Sequence, residues 1–453
     1  MKTWTPEQVA AAAGARLIAP PAQPAGPEGA VIDSRTVSAG KLFAGLKGER
    51  DDGGRYATQA LANGAWGVLV SPEYAAPGTA GAVLEADDPL EALQRLATAW
   101  RRHLDAAVVG VTGSTGKTST KDILKALLAP HRRTVASRAN YNTEIGLPLE
   151  ILDAPDGTQA LVLEMGMRGP GQIAELAAIA EPDVGVVVSV GPVHLELLKS
   201  VEAIAAAKAE LIAALPETGT AVVPAGEPLL DPHTAGLRAT LVTFGPGGDV
   251  ALERQTTDTV VIDAHGLPIT LEVPFTQAHL RRNLLAAVAA ARAIGVTPAG
   301  RVELDLSSGR GQRIALADNV TVIDDCYNAN PMSMRAALDE LAATAPGAAA
   351  GRRVAVLGDM LELGPDAPAY HREIGAHAAA TGVDVLVTVG PLATAMTDSF
   401  GDESYNVADA GEAAALVREL IEPGDVVLVK ASRGIGLELV CDALAADLAE
   451  QHG

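Results

Sequence analysis

The chain has 453 residues, 48% of them hydrophobic, and a formal charge of −22 from 34 Lys and Arg against 56 Asp and Glu. No apolar run approaches the ~20 residues of a membrane span, and the acidic charge argues against nucleic acid or an anionic membrane as a bulk partner. The two cysteines cannot form a disulfide framework, and no signal-peptide core follows Met1. We therefore expect a cytoplasmic protein of about two to four domains.

The first segment, residues 1–104, has the pattern of a small α/β domain. Residues 65–70, Ala-Trp-Gly-Val-Leu-Val, predict a short buried strand after a glycine turn. The apolar spacing over residues 90–103 predicts a helix that leads out of this domain.

The most informative motif follows the next predicted strand, residues 108–111. Residues 112–119 read Thr-Gly-Ser-Thr-Gly-Lys-Thr-Ser and lead into a helix with apolar spacing. Small residues let backbone N–H groups surround phosphate oxygens, a lysine neutralises charge, and a hydroxyl reaches Mg²⁺. Although Val111 stands in place of the common motif's first glycine, the loop predicts an ATP site. Its residues are Gly113, Ser114, Thr115, Gly116, Lys117, Thr118 and Ser119.

Residues 105–308 as a whole predict a parallel, doubly wound sheet, because strands at 106–111, 160–164 and 184–190 alternate with helices. Ligands bind beyond the carboxyl ends of such strands. Glu164 ends one strand and is a candidate Mg²⁺ ligand beside Thr118. His194 follows another strand by four residues. The alternatives are a solvated strand end for the carboxylate and a hydrogen-bonded loop position for the histidine.

Lys208 interrupts the apolar face of a predicted helix. That face is formed by Val201, Ile204, Leu211, Ile212 and Leu215. The stem could pack while the ammonium reaches water, which the pattern alone favours. Alternatively, burial lowers the pKa of the amine, so that neutral Lys208 takes up CO₂ as a carbamate and offers oxygens to a metal. The helix pattern leaves both interpretations open.

A third segment, residues 309–453, begins at the end of a predicted linker, residues 305–309 (Asp-Leu-Ser-Ser-Gly). Strands at 320–323, 354–357, 383–389 and 426–429 alternate with helices and predict a Rossmann-like domain. The loop after its first strand, residues 324–331, carries Asp325, Asn328 and Asn330. Such residues serve turns but also suit ribose hydroxyls, phosphate and a polar substrate.

Three cations of the third segment are candidates for the same site. Arg310 lies just past the linker, and Lys430 and Arg433 follow the last predicted strand. Cations on a separate domain that face a phosphate loop suggest a site completed by domain closure.

Together and in this order, these motifs resemble the Mur ligase family over essentially the whole chain. The further motifs that carry the resemblance are residues 33–35 (Asp-Ser-Arg), 42–48 (Leu-Phe-Ala-Gly-Leu-Lys-Gly), 140–148, 164–166, 194–196, 207–210, 324–331 and 357–364. The last two most resemble the family members that add a dipeptide.

The resemblance implies three α/β domains: a small N-terminal one, a central phosphate-loop domain and a C-terminal Rossmann-like domain. The first would bind the UDP end of the substrate through Ser34, Arg35 and Lys47, the second ATP and two Mg²⁺, and the third the dipeptide. Further substrate contacts would come from Asn142, Thr143, Asn328 and Asn330. Asn283 and Arg310 would contact adenine, and Asp325 the ribose or phosphate.

By the same resemblance, Thr118 and Glu164 would hold the phosphate-side Mg²⁺, and His194 with carbamylated Lys208 the second. Lys117, His194 and Lys208 would be the catalytic residues.

The implied activity is ATP-dependent ligation of D-alanyl-D-alanine to a UDP-N-acetylmuramoyl-tripeptide through an acyl phosphate, a step in making peptidoglycan precursors, and we expect a monomer. The alternatives are a family member that adds diaminopimelate or lysine, a folylpolyglutamate synthase, and a regulatory protein that has lost catalysis. The loop over 327–331 argues against the first two. The combination of Lys117, Glu164, His194 and Lys208 argues against the third.

Overall fold

The structure is a computed structural model that describes residues 1–76, 81–138, 140–347, 351–401 and 403–451. It contains three sheets that follow one another along the chain, each flanked by helices. This is the three-domain α/β class expected from the sequence. Within the described ranges, no helix combines the length and the apolar character that crossing a bilayer requires.

The N-terminal sheet has five strands in the order β1-β5-β4-β3-β2. The strands are β1 Arg16–Ala19, β2 Ala30–Val31, β3 Leu42–Ala44, β4 Gly67–Val70 and β5 Ala82–Glu85, and the helices are α1 Pro6–Ala13, α2 Ala57–Ala62 and α3 Pro89–Leu104. The strand and the exit helix predicted in this segment are β4 and α3. Helix α3 begins where it does because Asp88 caps it, its carboxylate accepting hydrogen bonds from two backbone N–H groups.

The central sheet has ten strands in the order β15-β14-β13-β12-β11-β10-β9-β6-β8-β7. The strands are β6 Ala107–Thr112, β7 Thr134–Ala136, β8 Ala160–Glu164, β9 Val184–Val187, β10 Thr220–Pro224, β11 Thr240–Phe244, β12 Val250–Gln255, β13 Thr259–Ala264, β14 Leu267–Glu272 and β15 Gly300–Arg301. The helices are α4 Lys117–Leu128, α5 Gly146–Asp153, α6 Gln172–Ala180, α7 Leu195–Leu198, α8 Val201–Ala213, α9 Asp231–Thr234 and α10 Ala278–Ala293. Strands β7, β8, β6, β9 and β10 are parallel neighbours, as predicted.

One part of the central sheet differs from the expected parallel arrangement. Strands β12, β13 and β14 are antiparallel. The β13–β14 connection is only His265 and Gly266, which both have positive φ angles, 55° and 77°. A two-residue turn of this kind makes a hairpin, whereas parallel strands need a crossover of about a dozen residues or more. The hairpin extends the sheet away from the parallel strands that carry the predicted site residues.

The C-terminal sheet has six strands in the order β16-β17-β21-β18-β19-β20, parallel except for β16. The strands are β16 Gln312–Ala315, β17 Thr321–Asp324, β18 Arg353–Gly358, β19 Val385–Val389, β20 Ser404–Val407 and β21 Val426–Lys430. The helices are α11 Pro331–Ala343, α12 Ala367–Ala380, α13 Thr394–Phe400, α14 Ala410–Leu420 and α15 Glu438–Gln451. The four strands predicted here are β17, β18, β19 and β21.

The C-terminal domain packs directly against the central domain. Gln277 Nε2 donates a hydrogen bond to Glu340 Oε1 at 2.7 Å, and the Glu196 N–H donates to the Glu362 carbonyl at 3.1 Å. The two domains enclose a cavity of about 820 Å³. The C-terminal domain thus completes the cavity, as the sequence predicted, while the closing movement stays a prediction.

Candidate active site

The cavity has two sides that come from different domains. We call the side lined by residues 112–119, 140, 142–144, 164–168, 172, 176, 193, 194, 208, 279 and 283 the central wall. The side lined by residues 310, 325, 327–330, 332, 333, 336, 337, 361–363, 430 and 432–434 is the C-terminal wall. The carboxyl ends of β6, β8 and β17 all point to this cavity through the residues that follow them.

The phosphate loop is the turn between β6 and α4 in the central wall. Gly116 precedes the first residue of α4 with a φ of 79°, and a Cβ there would lie 2.6 Å from Asn283 Oδ1. Glycine is required at this position for both reasons. Lys117 Nζ donates a hydrogen bond to the Gly113 carbonyl at 2.8 Å, which folds the lysine over its own loop.

Burial lowers the pKa of Lys117, and nearby Arg310 lowers it further, while the Glu164 carboxylate opposes both effects. A cation in such surroundings gains stability when an anion binds beside it. The loop therefore has the geometry and the charge to receive a phosphate.

Thr118 and Glu164 form a hydroxyl–carboxylate pair at the end of the loop. Thr118 Oγ1 donates to Glu164 Oε2 at 2.8 Å, and Asn142 Nδ2 donates to Glu164 Oε1 at 2.9 Å. The Glu164 N–H donates to Ser137 Oγ at 3.0 Å. Oxygen ligands of this kind suit Mg²⁺. Asn142, predicted as a substrate contact, holds the carboxylate of this pair in place.

His194 precedes α7 with a φ of 53°, a conformation that few non-glycine residues adopt. Its Nδ1 shares a hydrogen bond with Glu362 Oε2 from the C-terminal wall. Burial lowers the pKa of His194, and the Glu362 carboxylate acts in the opposite direction. The sequence placed His194 at the site but gave no indication of Glu362 as its partner.

Lys208 lies in α8 and is only 2% exposed. Burial lowers its pKa well below the ordinary lysine value, and the neighbouring Lys117 lowers it further. Among the described residues, no hydrogen bond or ion pair is found for its amine, although the side chain lines the cavity. The Lys208 side chain is thus directed to the cavity and not to the outer surface of the protein, and the carbamate at Lys208 stays a prediction.

Asp325 and Lys430 form a buried ion pair in the C-terminal wall. Lys430 Nζ lies 2.6 Å from Asp325 Oδ2 and donates to the Asn328 carbonyl at 2.9 Å. Lys430 is 2% exposed, so its ammonium is committed to shaping the loop that follows β17. Of the predicted cations, Lys430 therefore has its charge already matched within the wall.

Tyr327 lies between two arginines in the same wall. The Arg310 guanidinium carbon is 3.9 Å from the centre of the Tyr327 ring, and that of Arg433 is 5.1 Å away. Arg310 also donates to Thr118 Oγ1 at 3.2 Å across the cavity. Both distances to Tyr327 fall within the range of cation–π interactions, so the ring orients two cations beside the phosphate loop.

Asn330 has a structural role that the sequence left open. Its Oδ1 accepts from the Ser333 N–H at 3.0 Å and caps α11. Its Nδ2 reaches the Ser114 carbonyl at 3.5 Å, linking the cap to the phosphate loop.

The cavity brings together all the predicted catalytic, metal and nucleotide residues. Four predicted substrate residues also line it, namely Asn142, Thr143, Asn328 and Asn330. The other three do not: Ser34 is buried, Lys47 is exposed, and Arg35 pairs with Asp33 at 2.7 Å within the N-terminal domain.

Several lining residues were not assigned to the site from the sequence. They are Glu144, Arg168, Gln172, Met332, Leu361 and Glu362. His279 also lines the cavity. Burial lowers its pKa, with Glu340 and Asp325 opposing the shift. These residues do not end predicted strands or belong to the phosphate loop, the two signals on which the sequence-based assignment rested.

Three family models match the chain in sequence. The model described as "Mur ligase family, catalytic domain" matches residues 28–101, "Mur ligase middle domain" matches 111–291, and "Mur ligase, glutamate ligase domain" matches 309–433.

Curated relatives match along nearly the full length. The UDP-N-acetylmuramoyl-tripeptide–D-alanyl-D-alanine ligase of Mycobacterium tuberculosis is 40% identical over 92% of this chain and 92% of its own length. The enzyme of that name from Escherichia coli is 34% identical over 91% of this chain and 92% of its own length.

Solved structures share the architecture. MurF from Acinetobacter baumannii has a TM-score of 0.86 at 29% identity, covering 98% of this chain and 99% of its own. MurF from Thermotoga maritima, solved in complex with ADP, has a TM-score of 0.81 at 30% identity, covering 93% of this chain and 98% of its own.

Proposed function

The chain belongs to the Mur ligase family, and we propose that it joins D-alanyl-D-alanine to a UDP-N-acetylmuramoyl-tripeptide with ATP as the energy source. The relatives named for this activity cover more than nine-tenths of the chain. The product would be a UDP-N-acetylmuramoyl-pentapeptide, a peptidoglycan precursor, formed with ADP and phosphate.

The convergence of two loops on one cavity carries the proposal. The phosphate loop after β6 and the loop after β17 face each other. Two hydrogen bonds connect the two walls there, one from Arg310 to Thr118 Oγ1 and one from Asn330 Nδ2 to the Ser114 carbonyl. One loop suits a nucleotide and the other, with its carboxamides, suits a polar peptide. A ligase needs both ligands within reach of one carboxylate.

The chemistry of the side chains fits two Mg²⁺ ions. Thr118 and Glu164 offer hydroxyl and carboxylate oxygens beside the phosphate loop. His194 offers an imidazole nitrogen, to which carbamylated Lys208 would add the oxygens that Mg²⁺ prefers. We assign the first ion to Thr118 and Glu164, and the second to His194 and Lys208. When bound, the ions would neutralise charge on the phosphoryl group in transfer.

Lys208 contributes to the second ion only if its amine is modified. The neutral amine forms a new N–C bond with CO₂ and releases one proton, which leaves an anionic carbamate. Burial favours the neutral amine over the ammonium, and the anion would then lie near the Lys117 cation. A buried amine thereby becomes a pair of oxygen ligands.

Residues of both walls have roles in the first chemical step. Lys117 offsets negative charge on the γ-phosphate, while the peptide carboxylate must lie in line with that phosphate. The carboxylate oxygen attacks the γ-phosphorus, the bond to the bridging oxygen breaks and ADP leaves, which gives an acyl phosphate. This activation is needed because a free carboxylate is a poor acyl donor. Arg310, oriented by Tyr327, is positioned to contact the phosphates as well as the adenine, and Asn283 adjoins the loop.

In the second step, the dipeptide amine attacks the acyl phosphate carbonyl. A tetrahedral intermediate forms and expels inorganic phosphate, and the amine loses a proton. Packing of the C-terminal wall on the central wall limits access of water, which would otherwise hydrolyse the acyl phosphate. We assign the dipeptide to Asn328 and Asn330, and Asp325 to the ribose or phosphate.

The three predicted segments would divide the work. Residues 1–104 would bind the UDP end through Ser34, Arg35 and Lys47, residues 105–308 would bind ATP, and residues 309–453 would close the site. We further propose a monomer that acts in the cytoplasm, where ATP is available.

Mass spectrometry of products from a panel of UDP-muramoyl peptides, with ATP and D-alanyl-D-alanine, tests the function. We expect a product only from tripeptides, with ATP hydrolysis that depends on both the peptide and the dipeptide. In parallel reactions that supply diaminopimelate or lysine in place of D-alanyl-D-alanine, their ligation to a UDP-muramoyl-dipeptide would show another ligase of the family. Nucleotide binding without any product would show a protein that has lost catalysis.

A further inference from the structure

Glu362 reaches the site from a loop of the C-terminal domain whose backbone is held on several sides. The Met360 N–H donates to His371 Nε2 at 2.9 Å, and the Leu361 N–H donates to Ser432 Oγ at 2.9 Å. The Asp359 carboxylate accepts from the Ala393 N–H at 2.6 Å. The loop between Asp359 and Gly364 is therefore built into the C-terminal domain.

The tip of this loop meets the central wall at His194. Glu362 has a φ of 63° and His194 a φ of 53°, so two left-handed residues face each other across the domain interface. The Glu362 carbonyl accepts from the Glu196 N–H at 3.1 Å, which joins the two backbones beside the side-chain contact. Non-glycine residues in this conformation are strained, and strain of this kind is concentrated at functional sites.

The carboxylate of Glu362 is shared between two groups of the central wall. One oxygen is hydrogen-bonded to His194 Nδ1, and the other lies 3.8 Å from Arg168 Nε. The Glu362 side chain is only 38% exposed. This contact is made by a different domain from the one that holds His194, so it exists only while the domains are together.

We propose that Glu362 is a positioning residue that prepares His194 to bind the second metal ion, and only when the C-terminal domain is closed. This inference rests on the proposed role of His194 as a metal ligand. When Nδ1–H donates to the Glu362 carboxylate, the lone pair of the neutral imidazole is on Nε2. A carboxylate behind a metal-binding histidine fixes its tautomer and its ring orientation and raises its basicity.

Domain closure and the second metal site are coupled in this arrangement. In an open form, His194 would lose its carboxylate partner, and its affinity for a cation would fall. Conversely, a cation on His194 would favour the closed form by the same factor. The second ion would therefore bind tightly only after the wall that protects the acyl phosphate is in place.

Mn²⁺ binding in place of Mg²⁺ tests this coupling without turnover. It is measured by electron paramagnetic resonance in the presence of a nonhydrolysable ATP analogue and the UDP-tripeptide. The wild type should bind two ions. Glu362→Ala should weaken the second ion ~10- to 100-fold and leave the first unchanged. Glu362→Gln should bind the second ion with an affinity between those of the wild type and Glu362→Ala, because its carboxamide oxygen still accepts from Nδ1–H but carries no charge.

Two further variants separate positioning from a general loss of structure. In a His194→Asn background, Glu362→Ala should cause no additional loss of Mn²⁺ binding, because its effect passes through the imidazole. Glu373→Gln removes an exposed carboxylate of α12 that is paired with Arg335 of α11, and this variant should bind both ions like the wild type.

The outcomes distinguish this inference from the proposed function. Equal Mn²⁺ binding by the wild type and Glu362→Ala, with normal ligation by the wild type, would overturn the inference alone. An equal loss in the His194→Asn background would show that Glu362 merely holds the domains together, which also contradicts it. Absence of dipeptide ligation by the wild type would instead reject the proposed function.

Discussion

The two walls of the cavity are built in different ways. In the central wall, Lys117 contacts Gly113 four residues away, and Thr118 contacts Glu164 at the end of the next strand in the sheet. In the C-terminal wall, Asp325 depends on Lys430, 105 residues later, and Glu362 is completed by His194, 168 residues earlier. One wall is formed by a local motif on a parallel sheet, whereas the other is formed by pairs between distant segments. The phosphate loop of the first wall should therefore keep its chemistry when changes in the second wall leave the Glu362–His194 and Arg310–Thr118 contacts in place.

Removal of the phosphate-loop lysine is expected to have the largest effect. Lys117→Ala takes away the cation that acts on charge developing in phosphoryl transfer. We expect kcat to fall ~10²- to 10³-fold, about 3–4 kcal/mol of transition-state stabilisation, with the fold intact. Steady-state ADP release, with circular dichroism to check folding, measures this.

Lys125→Ala is the matched control because Lys125 lies in the same helix but is exposed. It should keep near-normal turnover. If Lys117→Ala also keeps near-normal turnover, the assignment of the phosphate loop as the catalytic centre of the central wall is wrong.

Variants of Lys208 test whether the central wall needs a carbamate on this lysine for activity. Lys208→Ala should lower turnover about 10²-fold, since it removes the amine that captures CO₂ and with it the proposed metal ligand. Added short carboxylic acids should partly restore activity by supplying the missing oxygens, while bicarbonate should not. The measurement is ligation rate against acid concentration.

Lys208→Met separates the amine from its stem. The methionine side chain fills the space of the lysine stem, so this variant should be as inactive as Lys208→Ala but should not respond to carboxylic acids. Retention of most Mg²⁺-dependent ligation by Lys208→Ala in CO₂-depleted buffer would contradict the carbamate.

The difference between the walls also explains what could be predicted from the sequence. The strands that end at the phosphate loop and at Glu164 are buried apolar runs, and a parallel sheet gathers their ends at one edge. Lys208 was singled out because a charge interrupts an apolar helical face. The contact between Glu362 and His194 depends on how two domains are oriented. The periodicity of one segment contains no information on the orientation of another domain.

The antiparallel hairpin in the central sheet has a related explanation. The two-residue turn His265–Gly266 indicates a hairpin. The alternation of strands and helices over the whole segment is a longer pattern, and it predicts parallel strands. The cap formed by Asn330 was also ambiguous, because an asparagine at a strand-to-helix turn serves capping and ligand binding equally well. Local chemistry identified these residues as polar turn residues, but only tertiary contacts distinguish their roles.

A moderate effect is expected from the aromatic ring of the C-terminal wall. Tyr327→Leu removes the surface on which Arg310 and Arg433 stack, and cation–π interactions contribute about 0.5–2 kcal/mol. We expect KM for ATP to rise roughly 2- to 30-fold, with kcat changed little. Tyr327→Phe is the matched control, since it keeps the ring, and it should resemble the wild type. A large fall in kcat with Tyr327→Leu would show that the central wall depends on the C-terminal wall for chemistry.

The smallest expected effect is that low pH destabilises the loop that carries Glu362, residues 359–364. His371 is fully buried, accepts from the Met360 N–H through Nε2, and is hydrogen-bonded through Nδ1 to the Ala367 carbonyl. Burial lowers the pKa of His371, although the Ala367 carbonyl and Asp359 oppose the shift. At pH 7.5 neither the folded nor the opened loop is protonated there, so the shift contributes nothing to stability. As the pH falls below the ordinary value of about 6.5, the opened form takes up a proton that the folded form refuses.

Opening of this loop should therefore become easier in acid, because the free energy of opening falls as the opened form gains its proton. At pH 6 the protection of residues 359–364 in amide hydrogen exchange, corrected for intrinsic rates, should be lower than at pH 7.5, by roughly fourfold at most. His371→Gln should show lower protection that no longer changes with pH, while the phosphate loop in the central wall should be equally protected in both proteins. Identical pH dependence in the wild type and His371→Gln would mean that another group controls the loop. A parallel loss of protection in the phosphate loop would mean that the two walls open as one unit.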